Sequence, residues 1–288
     1  MKKYLEYKNE IQGFEDVIET VKTMEKIAAS HIHLLKNEVR DLETYIQILE
    51  EIISRLLLFY AEENHPLLSP KVSGKNSIVI ITGDKGLVGG LYHNSINLFL
   101  PKAKNYQSLI SVGNKGESYL KEERIMVDKT FPNSSEVPKA EEITAITDYI
   151  FSEFERGEIK KVDIIYPQFI SLSQSRPKLV QFLPFKFGLN RINPKKGLPA
   201  GESLGFPIFE PSRRKIFSRL LKKYIKVFFY EIITEAKLSE FSARTITTEQ
   251  AAAKTEDLIR KLKVTYVKER RIIMAQKQIE SFAIHQTI

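Results

Sequence analysis

Residues 78–100, "IVIITGDKGLVGGLYHNSINLFL", read as a buried strand, a glycine-rich turn and the start of a helix. The strand is apolar and β-branched, as a sheet covered on both faces requires. Gly83, Gly86, Gly89 and Gly90 crowd the turn. Backbone N–H groups at a helix N-terminus bind anions, and glycine lets a ligand approach, so a phosphate is one occupant to consider. The spacing argues against it. A Walker A loop needs G-x-x-x-x-G-K-[ST], but Val88 stands five residues after Gly83, and no Lys-Ser or Lys-Thr pair follows Gly89 or Gly90. The dinucleotide fingerprint G-x-G-x-x-G is absent too. The plainer reading is a tight strand-to-helix turn with close helix-on-sheet packing. Asp84 and Lys85 in that turn could form a reactive pair or act as hydrogen-bonding turn residues.

Working outward, the runs "SLISVG" from Ser108 and "KKVDIIYPQF" from Lys160 alternate with helical stretches such as "AEEITAITDYIFSEFERG" from Ala140. That alternation is the pattern of a layered sheet with crossover helices. "FPNSSEVPKA" reads as a loop, and residues 184–212 as a Pro/Gly-rich excursion.

Both ends differ from this middle. Ile11, Phe14, Ile18, Val21, Ala28, Ile32, Leu35, Val39, Leu42, Ile46, Leu49, Ile53, Leu56 and Tyr60 form a seam in steps of three and four, the signature of a coiled coil. With no Gly or Pro between Gly13 and Pro66, the helix runs for roughly 50 residues, or about 75 Å. From Ser212 to the end there is again neither. The seam there passes Leu220, Tyr224, Val227, Leu238, Phe241, Thr245, Thr248, Ala252, Thr255, Ile259, Leu262 and Tyr266. Its middle, "SARTITTEQAAAKT", puts small or polar groups where a sealed core wants Leu, so the pair is slender and weak there and needs an enclosing partner or supercoiling along its whole length. The expected fold is α/β: two long terminal helices forming an antiparallel coiled coil plus a central Rossmann-like α/β domain. Its parts are 1–64 (N-terminal helix), 65–210 (α/β domain) and 211–288 (C-terminal helix).

The chain has 288 residues, 42% hydrophobic and 28% charged, enough for a sizeable core. No apolar run approaches membrane-spanning length and no secretory leader is recognisable, so a soluble, intracellular protein is expected. The absence of cysteine removes disulfides, thiol nucleophiles and thiolate metal sites. The formal charge of +8 suits nucleic acid, an acidic protein surface or anionic lipid equally. Catalytic patterns are missing. His31 and His33 face opposite ways on a helix, His65, His93 and His285 stand apart, and there is no G-x-S-x-G elbow. Carboxylate neighbours such as Glu122 and Glu123, or Glu141 and Glu142, are adjacent rather than convergent. No cofactor, metal or catalytic residue is expected.

The arrangement resembles the gamma subunit of F-type ATP synthases, over nearly the whole chain. Thr82 to Tyr92 is similar to that family's "T-S-D-R-G-L-C-G-G-L-N", "FISLSQSRP" from Phe169 to its "F-I-N-T-M-S-Q-x-P", and "VKTMEKIAASH" to its "T-K-A-M-E-M-V-A-A-S-K". "LSEFSAR" looks like "L-A-S-E-Q-A-A-R", and Tyr266, Lys268, Arg270 and Gln276 match "Y-N-K-A-R-Q-A-x-I-T-Q-E". The resemblance implies a non-catalytic rotor that couples proton or sodium flow to ATP synthesis or hydrolysis. Its coiled coil would turn inside a ring of alpha and beta subunits, and its α/β domain would dock on the epsilon subunit and the c-subunit ring. It implies a peripheral protein on the cytoplasmic face of a bacterial inner membrane, without direct membrane insertion or nucleic acid. By family position, Glu25, Lys26, Lys268, Arg270 and Gln276 would meet loops of the catalytic subunits, while Gly83, Asp84, Gly86, Gly89 and Gly90 would hold the domain's own turn. This chain departs from the family at Lys26, where an apolar residue is usual, at Glu19, usually basic, and at the bulky tip "SFAIHQTI". A free-standing coiled-coil scaffold or nucleic-acid-binding adaptor is the alternative reading, and an enzyme using the 82–91 turn a third.

Overall fold

The computed structural model describes residues 4–58, 65–133, 135–186 and 209–285, with side-chain environments as far as 282. Tyr60, most of the 184–212 excursion and the end of the 281–288 tip lie outside these residues. In chain order the elements are helix α1 (Tyr4–Leu58), strand β1 (Lys75–Ile81), α2 (Leu91–Phe99), a 3₁₀ turn (Leu100–Asn105) and β2 (Ser108–Val112). Then come α3 (Asn114–Glu122), β3 (Lys129–Phe131), α4 (Ala140–Arg156), β4 (Ile159–Ser171), β5 (Gln174–Leu183) and α5 (Arg213–His285). The chain divides into two compact units, one of Ser30–Ala243 and one of Met1–Ala29 with Arg244–Ile288. Ser30–Leu58 of α1 and Arg213–Ala243 of α5 therefore belong to the same compact unit as the α/β domain.

In the larger unit the sheet order is β3-β2-β1-β4-β5. β1 pairs parallel with β2 and β4, β2 pairs parallel with β3, and β5 closes the edge antiparallel to β4. Period-two alternation divides β1 between two cores. Val79 and Ile81 face α4, α5 and the second half of α1, through Ile150, Phe154, Ile225, Phe229, Leu49 and Ile53. Ile78 and Ile80 face Ile96, Phe99 and Leu120 of α2 and α3. Being covered on both faces is what the unbroken apolar run of β1 encodes.

β3 and β5 went unread in the sequence for physical reasons. β3 has three residues. β5 carries Pro177, Arg176 and Lys178, and such residues belong on an edge strand, where missing N–H groups and charges deter further pairing.

Within the larger unit α1 and α5 are antiparallel. The Tyr224 hydroxyl donates to Glu50 Oε1 (2.7 Å) and that of Tyr230 to Glu38 Oε1 (2.9 Å), while His31 stacks on Phe241 with ring centroids 4.8 Å apart. Partner numbers rise along one helix as they fall along the other. On its other side α5 meets α4 through Lys222–Glu155 (2.7 Å) and Lys226–Asp148 (2.6 Å). Flanked in this way, α5 is buried on almost every side from Ile232 to Ser242.

In the smaller unit the two terminal segments are antiparallel as well. Lys22 Nζ lies 2.7 Å from Glu256, Lys263 Nζ lies 2.7 Å from Glu15, and Tyr4 packs near Tyr266. Ile11, Ala28, Thr248, Ala252 and Ile259 are buried along the seam, and Phe14, Ile18, Val21, Thr255, Leu262 and Tyr266 are half-buried. Two of the seam hydroxyls are satisfied inside their own helix: Thr248 donates to the Arg244 carbonyl (2.8 Å) and Thr255 to that of Ala251 (2.8 Å). Back-bonding of this kind frees the threonine methyls to act as small apolar contacts.

Candidate functional site

β1 ends between β2 and β4, at the point where the strand order reverses. Open α/β sheets take their ligands in the crevice beyond such a switch point. Here the crevice is filled from within. A Cβ on Gly83 would collide with the Tyr92 hydroxyl and the Glu240 carboxylate, so glycine is required there by close packing. Glu240 Oε2 is 3.2 Å from Lys237 Nζ, with both side chains 3% exposed. Lys237 also donates to the Asn133 carbonyl (2.7 Å), and Asn133 Nδ2 donates to the Thr82 carbonyl (2.6 Å). A buried Lys237–Glu240 ion pair thus stands over the turn, where a phosphate on its backbone N–H groups would have to sit.

The rest of the turn is tied down by its own domain. Asp84 accepts from two backbone N–H groups, Asn114 (2.6 Å) and Asn133 (3.0 Å), joining β1 to the start of α3 and to the loop after β3. The Thr82 hydroxyl donates to the Val112 carbonyl (3.1 Å) and accepts from the Gly116 N–H (2.9 Å). Gly89 has φ +56°, a left-handed conformation that favours glycine. Gly86 and Gly90 have no neighbour that a methyl would strike. Lys85 turns away from Asp84 to Glu136 (3.1 Å), so the two do not converge as a reactive pair.

Glu136 also receives His31 Nε2 at 2.8 Å. The hydrogen bond from Lys85 holds its carboxyl below the usual carboxylate range; burial opposes this, and the nearby His31 adds a smaller lowering effect. The other described histidines have structural contacts: His65 Nε2 is 3.0 Å from Ser218 Oγ, and His93 lies against Tyr119. Among the described residues no cluster of His, Asp and Glu is arranged to hold a metal ion, and no helix is long and apolar enough to cross a membrane.

The five expected partner-contact residues all lie in the smaller unit. Lys26, Lys268, Arg270 and Gln276 are exposed and Glu25 is half-buried. They are not brought together. The Lys22–Glu256 contact puts Glu25 and Lys26 near the level of residue 253, whereas Lys268, Arg270 and Gln276 continue beyond the Tyr4–Tyr266 level. At about 1.5 Å per residue the two groups are separated by roughly 20 Å along the helices. They form two exposed bands rather than one site. Sequence reasoning missed Lys237, Glu240, Asn133 and the His31–Glu136 pair. The available signal was Lys237 and Glu240 at i, i+3 inside an otherwise apolar helical stretch, a spacing that places a lysine and a glutamate side by side.

Comparison with known proteins places these features in a wider group. The protein family described as ATP synthase matches residues 3–279. The ATP synthase gamma chain of Dehalococcoides mccartyi strain CBDB1 is 30% identical over 269 residues, covering 92% of this chain and 91% of the relative. That of Protochlamydia amoebophila strain UWE25 is 27% identical over 280 residues, covering 96% and 95%. The fold is shared with a chain of the Euglena gracilis mitochondrial ATP synthase rotor, at TM-score 0.64 and 16% identity over 94% of this chain and 98% of that one. A chain from the Tetrahymena thermophila mitochondrial ATP synthase central stalk and c-ring gives TM-score 0.54 at 20% identity, covering 81% and 99%.

Proposed function

Because the chain belongs to the ATP synthase family, among gamma chains that match it almost end to end, we propose that it is the central-stalk rotor subunit of an F-type ATP synthase. In this role it couples rotation to ATP synthesis or hydrolysis in a ring of alpha and beta subunits, with the epsilon subunit and the c-ring as its other partners. The observation that carries the reading is the antiparallel terminal pair with a seam of Thr and Ala through residues 245–255. Burial of apolar surface contributes about 25 cal/mol per Å². A seam of methyls therefore contributes little by itself and suits a shaft enclosed by other subunits. A free-standing scaffold would need Leu and Ile at those positions.

The chain supplies no catalytic group in this proposal. Its asymmetric shaft presents different faces to successive catalytic subunits, and each face shifts a site between states of different nucleotide affinity. The linkage is reciprocal: a nucleotide that favours one state favours one shaft angle. Glu25, Lys26, Lys268, Arg270 and Gln276 are assigned as two bands of contacts with catalytic-subunit loops. Exposed ion pairs contribute only about 0–1 kcal/mol each, so such contacts can form and release at every step. The placement is peripheral, on the cytoplasmic face of a bacterial membrane.

Co-expression with the cognate alpha and beta subunits tests the proposal. A complex containing one copy of this chain, with ATPase activity that depends on it, is expected. A chain that stays apart from alpha and beta and leaves their activity unchanged refutes it. Lys26→Met, restoring the apolar residue usual at this position, then separates coupling from assembly.

A further inference from the structure

β4 outruns its neighbour on one side. Its last pairing with β1 is Ile165 with Ile80, whereas β4 and β5 continue as a hairpin through Tyr166–Lys178 and Gln168–Arg176 to Ser171–Gln174. Beyond Ile165 the edge of β4 that β1 would complete is open, and backbone groups there need other partners. Side chains of α5 supply them. The Ser239 hydroxyl donates to the Pro167 carbonyl (2.9 Å). One turn earlier on α5, Glu235 accepts from the Phe169 N–H, and also from the Tyr166 hydroxyl and the Gln168 side-chain amide. Residues 167 and 169 turn to the same edge because backbone groups alternate along a strand.

A single half-buried carboxyl thus gathers three donors from the hairpin. The charged and titratable groups around it are Glu231, one turn before it on α5, Tyr166 on β4, Lys178 and Arg176 on β5, and Lys36 on α1. Lys178 Nζ lies 5.9 Å from the centre of the Tyr166 ring and Lys36 Nζ 6.0 Å from that of Phe169. Arg176 Nε donates to Gln168 Oε1 (3.3 Å). Burial pushes the Glu235 carboxyl above its ordinary value of 4.5, and the Tyr166 hydrogen bond, the Lys178 charge and the bonds from Phe169 and Gln168 only partly oppose it. Burial, then the charge of Glu235, pushes the Tyr166 hydroxyl up, which keeps it a neutral donor.

We propose that Glu235 is a positioning residue that seats the β4–β5 hairpin on α5 with a proton-dependent grip, tighter when the carboxyl is neutral than when it is charged. The neutral carboxyl keeps a carbonyl oxygen to accept these donors and removes a desolvated charge. Because the folded chain favours the protonated form, the grip is complete below the ordinary carboxylate value and weakens as the pH rises through the folded one. A hydroxyl or amide completes a strand edge equally well at every pH, as Ser239 does one turn on. The carboxyl makes the contact answer to protons. In the rotor reading α5 carries the torque and the hairpin belongs to the sheet, so the grip sets how stiffly the α/β domain follows the shaft. That consequence rests on the rotor reading; the grip itself belongs to the chain and is tested on the chain alone.

Hydrogen exchange of the full-length chain from about pH 5 to 8, corrected for the intrinsic pH dependence of exchange, reads the Phe169 N–H directly. Its protection is expected to fall as the pH rises. Glu235→Gln keeps an acceptor and cannot ionise, so its protection is expected to be flat and, at the alkaline end, no lower than that of the wild type. Lys178→Gln leaves the three hairpin donors in place and is expected to move the fall to higher pH, because the ammonium favours the carboxylate. A fall that persists in Glu235→Gln overturns the inference, since another group then titrates. Protection in Glu235→Gln below the wild type throughout also overturns it, because the carboxylate is then the tighter anchor. So does a flat wild-type profile, or a fall in Lys178→Gln that does not move upward.

Discussion

Lys237→Met tests whether the buried ion pair is what fixes α5 against the β1 turn. Methionine preserves most of the lysine's length and volume, so the change removes the ammonium with little cavity. The loss is specific. Glu240, 3% exposed, loses the ammonium 3.2 Å away, and the Asn133 carbonyl loses a donor at 2.7 Å. Breaking a buried pair from one side costs about 3–5 kcal/mol, because the remaining charge stays desolvated with one cation fewer beside it. For a cooperative unit of this size, 1 kcal/mol corresponds to roughly 2–4 °C, so the expected fall in melting temperature is about 6–20 °C. Calorimetry of the full chain, with the first transition followed also by tryptic cleavage, provides the assay. Lys237→Met/Glu240→Gln is the necessary companion. Neutralising both partners removes the buried carboxylate charge and recovers a large part of the loss, because a neutral amide costs much less to bury than a carboxylate that has lost its ammonium. A single variant that melts within about 2 °C of the wild type refutes the reasoning. So does a double variant no more stable than the single one.

Other consequences follow from the same geometry. Gly83→Ala must displace the Tyr92 hydroxyl or the Glu240 carboxylate and is expected to cost about 1–3 kcal/mol in urea unfolding, whereas Gly90→Ala, with ordinary φ and no atom nearer than 3.9 Å, stays within about 0.5 kcal/mol. Equal effects at the two positions would mean that the turn is not packed as described. Burial, then the hydrogen bond to Glu38, pushes the Tyr230 hydroxyl up to about 12. The neutral phenol is therefore favoured in the folded chain, and its contribution, present below the ordinary tyrosine value near 10, is lost as pH rises through 12. Tyr230→Phe should flatten the alkaline fall in stability over that window. Lys85→Gln should move the Glu136 carboxyl back towards its ordinary range, read by carbon NMR titration, because the Lys85 ammonium is the main cause of its depression. Thr248→Val is expected to change shaft stability by less than about 1 kcal/mol, since the hydroxyl bonds only within its own helix and the methyls already face the seam.

The sequence determined local structure wherever a periodic pattern persisted. β1 and β4 were legible as apolar β-branched runs, α4 as an amphipathic stretch stopped at Gly157, and the terminal helices as long seams without Gly or Pro. Nearly every described seam position is buried or half-buried, because a helix with one apolar stripe must face that stripe inward wherever its partner lies. The turn at 83–90 was legible as a turn from its glycines. What fills it was not. Glu240 lies over Gly83 from a point more than 150 residues away, and only the tertiary path of α5 brings it there. The same holds for Asn133, which bridges Thr82 and Lys237, and for Glu136 beside His31 and Lys85. A charged residue carries no mark in the sequence of whether it is to be solvated or buried with a partner, since that depends on which elements enclose it.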